Sequence, residues 1–89
     1  MITAAKLEQF TKMSSEWLTS ILQDQGYDTS DEPILFTRFE GIRTPNGTTL
    51  DFVYTVTYLD THVTNGLVDA NIIVTYDSPT DTLHADYAG

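Results

Sequence analysis

The sequence contains no cysteine. Disulfide bonds, thiolate zinc sites and cysteine nucleophiles are therefore excluded. It also contains no apolar run that approaches the roughly 20 residues needed to span a bilayer. Residues 1–6 lack the charged region and the apolar run of a signal peptide. We therefore expect a cytoplasmic protein, or one assembled into a particle in a cytoplasm.

Basic residues are scarce. Thirteen acidic residues face four basic ones, for a net charge of −9. All four cations lie at or before Arg43, and the rest of the chain contains six aspartates without any lysine or arginine. Because neutralising phosphates requires Lys and Arg, we expect no direct nucleic-acid binding, and an anionic membrane surface is disfavoured too. The charge fits a solvated surface, adaptation to high salt, or a partner protein with a basic surface.

Motifs for catalysis and metal binding are missing as well. The chain has neither a Gly-x-Ser-x-Gly elbow nor a phosphate-binding glycine loop. The two histidines, His62 and His84, have no neighbouring ligands at the spacing of a zinc site. We therefore expect neither an enzyme nor a bound metal or cofactor. The EF-hand pattern of alternating Asp or Asn with a central glycine is absent from the acidic run Asp24, Asp28, Asp31 and Glu32.

The apolar residues near the N-terminus recur at steps of three and four, which is the spacing of one face of an α-helix. Thr3 is suited to cap the start of this helix, and Gly26 to end it in a left-handed conformation. Glu8 and Lys12 form an i,i+4 pair on the polar side. The pattern predicts one continuous amphipathic helix over residues 4–25, with an apolar stripe formed by Leu7, Phe10, Ser14, Trp17, Leu18, Ile21 and Leu22.

After Pro33, apolar and polar residues alternate with the period of two that is typical of β-strands. Four strands are predicted, over residues 34–42, 49–60, 67–77 and 82–88. The sequence therefore predicts a single α+β domain over residues 1–89, in which one helix packs on a four-stranded antiparallel meander in two layers. The residues expected to be buried together are Trp17, Ile21, Phe52, Tyr54, Val56, Ile72 and Val74.

The second hairpin has two candidate turns. A two-residue turn at residues 65–66 sets outward residues against inward ones. A three-residue loop at residues 64–66, with positive φ at Gly66, instead pairs Tyr58 with Ile72 and keeps both faces consistent. We therefore favour the three-residue loop.

The third and first hairpins differ in how well their turns define the pairing. Residues 78–81, with proline second, suit a type I turn that pairs Tyr76 with Leu83. For the first hairpin, around Asn46, a three-residue loop turns the even-numbered residues of 34–40 inward, and a four-residue loop turns the odd-numbered residues of 35–41 inward. We favour the second and treat this strand as an edge of the sheet.

A two-layer domain leaves the second face of its sheet uncovered. This outward face combines aliphatic residues with threonines and aspartates, and Phe36 from the edge strand joins it. The candidate partner-binding residues are the aspartates that follow the last cation: Asp51, Asp60, Asp69, Asp77, Asp81 and Asp86. The candidate residues for an alternative, apolar interface are Val53, Leu59 and Ile73.

In size, charge and fold class, the chain is similar to small acidic phage-encoded proteins, including anti-CRISPR proteins and other nucleic-acid mimics. This resemblance implies an inhibitor whose carboxylates occupy a basic surface on a partner protein, in the host cytoplasm if the protein is phage-encoded. The alternative is a structural subunit of a homo-oligomer or a phage virion, which would use the aliphatic residues or an exposed edge strand. A small ligand-binding domain is a third, weaker alternative.

Overall fold

Two α-helices precede a four-stranded sheet in the computed structural model, which describes residues 3–30, 32–62 and 64–88, and of residues 44–46 the backbone only. The strands form one antiparallel sheet in the order β1-β2-β3-β4, so the α+β class is as predicted. Within the described ranges, neither helix has the length and apolar character needed to cross a membrane. The elements are α1 (Ala4–Thr11), α2 (Ser15–Asp24), β1 (Ile34–Asn46), β2 (Thr49–Leu59), β3 (Leu67–Asp77) and β4 (Thr82–Tyr87).

The N-terminal segment forms two helices, so the prediction of one continuous helix over residues 4–25 is wrong. Ser14 adopts an extended conformation, and its side-chain oxygen accepts a hydrogen bond from the backbone N–H of Trp17, as the N-cap of a helix does. Thr3 caps α1 in the same way. The break between the helices contains Met13, which is buried in the core. Serine favours caps over helix interiors because its hydroxyl competes for backbone hydrogen bonds.

Phe10 is the main contact of α1 with the inner face of the sheet, the face that the helices cover. Its ring centroid lies 4.6 Å from that of Phe52 and 5.5 Å from those of Trp17 and Tyr76. The hydroxyl of buried Tyr54 donates to the Phe10 carbonyl at 2.6 Å, and burial raises the pKa of this tyrosine. The predicted core is confirmed, although Trp17 is only partly buried. The buried apolar residues are Phe10, Met13, Leu18, Ile21, Leu22, Phe52, Tyr54, Val56, Ile72, Val74, Tyr76 and Ala85.

The β2–β3 hairpin has the predicted faces but not the predicted register. Tyr58 pairs with Val68 rather than with Ile72, because the connection is longer than three residues. The β3 partner of each β2 residue lies four residues from the predicted one. Because four is an even number, every side chain keeps its face. The positive φ predicted for Gly66 is found instead at Asn65, where φ is 57°.

The β3–β4 hairpin has the predicted register, with Tyr76 opposite Leu83. The connecting turn ends at Asp81, which adopts a left-handed conformation with φ at 53°. Asp77 and Thr82 are the first pair beyond the turn. The four-residue loop deduced from the sequence is therefore confirmed.

β1 lies at the edge of the sheet, but neither predicted register applies along its length. The pairing with β2 shifts between Ile34 and Phe36 and again between Phe39 and Gly41. An extra residue at each shift moves the following side chains to the opposite face. Ile34 and Phe39 therefore pack against the core, whereas Phe36 points outward. The hairpin also closes through two residues rather than three or four, since Asn46 lies opposite Thr49.

The side chain of Gln25 covers part of the free edge of β4. Its Nε2 donates to the Ala85 carbonyl at 2.8 Å, and its Oε1 accepts from the Ala85 N–H at 2.6 Å. These are the two bonds that a further strand would make with this residue. Ala85 is fully buried, so its backbone groups depend on the glutamine. Gln25 therefore satisfies the edge and blocks strand addition at this position.

Gln25→Leu is expected to lower the free energy of unfolding by about 1–3 kcal/mol, because the buried N–H and C=O of Ala85 lose their partner. Urea denaturation measures this change. Gln9→Leu, at an exposed position of α1, is the matched control and should shift the stability by less than about 0.5 kcal/mol. Equal stability of the two variants would show that the Gln25 bonds contribute nothing.

Candidate functional site

The outer face of the sheet is the face opposite the helices. Hydrophilic and apolar side chains are mixed along this face, in rows that run across the strands. Starting at the end with the β2–β3 connection, the rows are Leu59 and Leu67; Phe36, Thr57 and Asp69; Arg38, Thr55 and Asn71; Val53, Ile73 and Asp86; Arg43, Asp51, Thr75 and His84; and Thr49, Asp77 and Thr82.

The six candidate aspartates do not form one cluster. Asp60 and Asp69 lie at the end of the sheet that bears the β2–β3 connection, on either side of the Leu59–Leu67 pair. Asp86 lies opposite Ile73, near the middle of the face. The remaining three lie toward the other end of the sheet: Asp51, Asp77 and Asp81.

Asp51 is largely inaccessible, with an exposed fraction of 7%. Its Oδ1 accepts from the Thr75 hydroxyl at 2.7 Å, and its Oδ2 lies 3.3 Å from Nη2 of Arg43. Both oxygens therefore have partners on the adjacent strands. Because a buried carboxylate needs such partners, Asp51 holds β1, β2 and β3 together rather than facing a binding partner.

Asp81 is engaged by groups on the helix side of the sheet. It accepts hydrogen bonds from Nζ of Lys6 at 2.8 Å and from the Tyr76 hydroxyl at 2.7 Å. These two bonds lower the pKa of Asp81, and the bond to Asp81 raises the pKa of Lys6. The network connects α1 to the β3–β4 turn. Asp81 therefore supports the docking of the helix on the sheet.

All four basic side chains pair with carboxylates, and two of these pairs join a cation of the first half of the chain to an aspartate of the second half. β1 lies beside β2, and this places Arg38 and Arg43 on the same face as the aspartates. Hydrogen bonds from Thr55 and Arg38 lower the pKa of Glu40. The exposed charge that remains is acidic. The four pairs are Lys6–Asp81, Lys12–Glu8, Arg38–Glu40 and Arg43–Asp51.

Asp69 and Asp86 present exposed carboxylates on adjacent strands. Each is held by a neighbour: the Thr57 hydroxyl donates to Oδ1 of Asp69 at 2.7 Å, and Nε2 of His84 lies 3.0 Å from Oδ2 of Asp86. Asp86 lies opposite Ile73, four residues from Asp69, which corresponds to about 13 Å along the strand. The face thus holds two oriented carboxylates at a fixed separation.

Three large apolar residues form what we call the apolar corner: Phe36, Leu59 and Leu67. Leu59 lies directly opposite Leu67, and Phe36 lies opposite Thr57, diagonal to Leu59. Phe36 is 68% exposed and Leu67 is 61% exposed. Sequence reasoning placed Phe36 and Leu59 on this face but missed Leu67, because the predicted shorter loop separates Leu67 from Leu59. Grouped exposed apolar side chains mark interaction sites.

The other surface features are weaker candidates for a functional site than the outer face. Gln25, Gly26, Tyr27 and His84 line a groove that is open to solvent. In the described part of the chain, no group of three or more His, Cys, Asp or Glu side chains is placed to hold a metal ion. Asp31, a member of the acidic run, lies outside the described residues. The outer face therefore remains the candidate functional site.

This assignment rests on the geometry of the outer face. No known protein-family model matches the chain, and no significant match is found among curated proteins or among solved structures.

Proposed function

We propose that this protein is a small acidic binding module, without enzymatic activity or a cofactor, that docks its outer sheet face on the basic surface of a partner protein. The observation on which this rests is the uncovered outer face, with exposed and oriented carboxylates at Asp69 and Asp86. The helices pack on the opposite face, so a partner can approach without displacing the core.

The charge of the whole protein supports a basic partner. The net charge of −9 attracts a cationic surface at long range, and every Lys and Arg is already paired within the fold. Complementary charge speeds the encounter and suppresses acidic competitors. Nucleic acid repels such a surface, so the proposed partner is a protein and not DNA or RNA.

More specifically, we propose that the protein is an inhibitor of the phage type, similar to anti-CRISPR proteins or other nucleic-acid mimics. Carboxylates on a rigid sheet would occupy a Lys- and Arg-lined channel on the partner. The phosphate contacts of such a channel account for much of its affinity for nucleic acid. Carboxylates that occupy the channel would therefore prevent the partner from binding nucleic acid. The inhibitor would act in a cytoplasm, that of the host if the protein is phage-encoded.

The test is capture from a lysate on the immobilised protein at about 0.1 M and about 1 M salt, where the Debye length falls from about 10 Å to about 3 Å. We expect the wild type to retain a basic protein at low salt and to release it at high salt. The double variant Asp69→Asn, Asp86→Asn should weaken this retention at least about tenfold, because it removes two exposed charges while leaving hydrogen-bonding groups in place.

The matched control is the double variant Val53→Thr, Ile73→Thr, which changes the apolar pair in the middle of the same face. It should retain the partner as the wild type does. Salt-insensitive capture that is lost only in this control would refute the proposal. That result would favour the alternative, a structural subunit that self-associates or joins a virion through Val53, Leu59 and Ile73.

A further inference from the structure

We propose that the apolar corner is the anchor of the binding surface, and that it receives an extended partner segment in which leucine-like side chains alternate with arginine or lysine. This inference rests on the proposed function, since it specifies the partner chemistry for the same face. The positions that define it are the Leu59–Leu67 pair, the diagonal Phe36 and, two residues along β3, Asp69.

The exposure of Phe36 results from the backbone of β1. In a regular strand, residues two apart share a face, so Ile34 and Phe36 would both pack inward. The register shift between them leaves Ile34 packed against the core and turns Phe36 into solvent. Bulges commonly redirect a side chain at an interaction site. A fold that turns a phenylalanine out of its core in this way has a binding anchor in place.

β3 is only partly covered at this end of the sheet. Along β3, Leu67 to Asn71 alternate between exposed and half-buried, and full burial begins only at Ile72. The apolar corner is therefore a patch to which the rest of the protein contributes little cover. Phenylalanine is among the residues that are enriched in the buried core of protein interfaces.

Carboxylates flank the corner and define what it accepts. Asp69 is oriented by the Thr57 hydroxyl, and Asp60 follows Leu59 directly. A second copy of this chain would bring identical patches together about a two-fold axis, so the same carboxylates would approach each other. Arg38 is the nearest cation on the face, and it is already paired with Glu40. The charges therefore favour a cationic partner over self-association.

The strand geometry gives the spacing of the partner side chains. Leu67 and Asp69 are two residues apart on one face, about 6.6 Å at the rise of a strand. Side chains on one side of an extended peptide have the same spacing. A segment with leucine at one position and arginine two residues later can therefore contact both the apolar corner and Asp69.

The experiment is a titration of the isotope-labelled protein, followed by NMR, with a synthetic peptide that repeats Leu-Ser-Arg-Ser. We expect the amide signals of Phe36, Leu59, Leu67 and Asp69 to shift. Phe36→Ala should weaken binding at least tenfold. Ile42→Ala, which removes a partly exposed apolar side chain on the inner face of the same strand, should not change it. A peptide that repeats Ser-Ser-Arg-Ser has the same charge without leucine and should bind at least tenfold more weakly.

The outcomes separate this inference from the proposed function. If both arginine peptides bind equally and Phe36→Ala has no effect, the apolar anchor is refuted, whereas a loss in Asp69→Asn, Asp86→Asn would still support the basic partner. If neither peptide binds, the anchor is refuted and lysate capture decides the proposed function independently. A dimer in sedimentation experiments that Phe36→Ala dissociates would also overturn the inference, in favour of a second copy.

Discussion

Phe10→Ala is expected to lower the free energy of unfolding by about 3–5 kcal/mol, the usual cost of replacing a buried phenylalanine by alanine. Phe10 is 1% exposed and contacts Phe52, Trp17 and Tyr76, so truncation leaves a cavity between α1 and the sheet. A small domain is stable by only about 5–15 kcal/mol, so this loss would be a large part of the total.

The control is the same substitution at Phe36, which is exposed and should change the stability by less than about 0.5 kcal/mol. Urea denaturation followed by the fluorescence of Trp17, the single tryptophan, reports both variants. The midpoint should fall for Phe10→Ala with little change in slope, since the surface exposed on unfolding is similar. Equal midpoints for the two variants would contradict the packing of α1 on the sheet.

The strand faces and most of the core were predictable from the sequence because alternation determines them. A strand has a period of two, and the even-numbered residues of β2 and β3 are apolar over long stretches. An error in register by an even number of residues leaves such a prediction intact. This is why Ile72 and Val74 were placed in the core, although the predicted partner of Ile72 was wrong.

The helix break was not predicted because two signals coincide at Ser14. Its position fits the apolar stripe of a continuous helix, and its chemistry also suits an N-cap. Burial of Met13 favours the helix break with Ser14 as N-cap, and that burial depends on the sheet beneath Met13. A local sequence pattern contains no information about this tertiary contact.

The candidate site was predictable in part for the same physical reasons. The outward positions of Asp69 and Asp86 follow from alternation, and that of Phe36 follows from the four-residue loop favoured for the first hairpin. The burial of Asp51 does not, because its partner Arg43 comes from β1, whose register is changed by bulges. Charge pairing between strands requires the register, so the sequence could not reveal which aspartates remain exposed.

Ile72→Ala is expected to lower the free energy of unfolding by about 2–5 kcal/mol, whereas Ile73→Ala should cost less than half as much. The two residues are adjacent and chemically identical, but they lie on opposite faces of β3. Ile72 is fully buried under the helices, and Ile73 is half-buried on the outer face opposite Val53. Thermal or urea unfolding of both variants therefore compares the two faces directly.

Ile73→Ala also addresses the alternative interface, because Ile73 is one of its three proposed residues. If the outer face binds a basic partner through carboxylates and the apolar corner, this variant should keep the mass in solution and the partner affinity of the wild type. Ile72→Ala should lose affinity only in proportion to its unfolded fraction. Equal destabilisation by the two variants would contradict the assignment of the faces. A change in mass on Ile73→Ala alone would instead identify the middle of the outer face as a contact between copies.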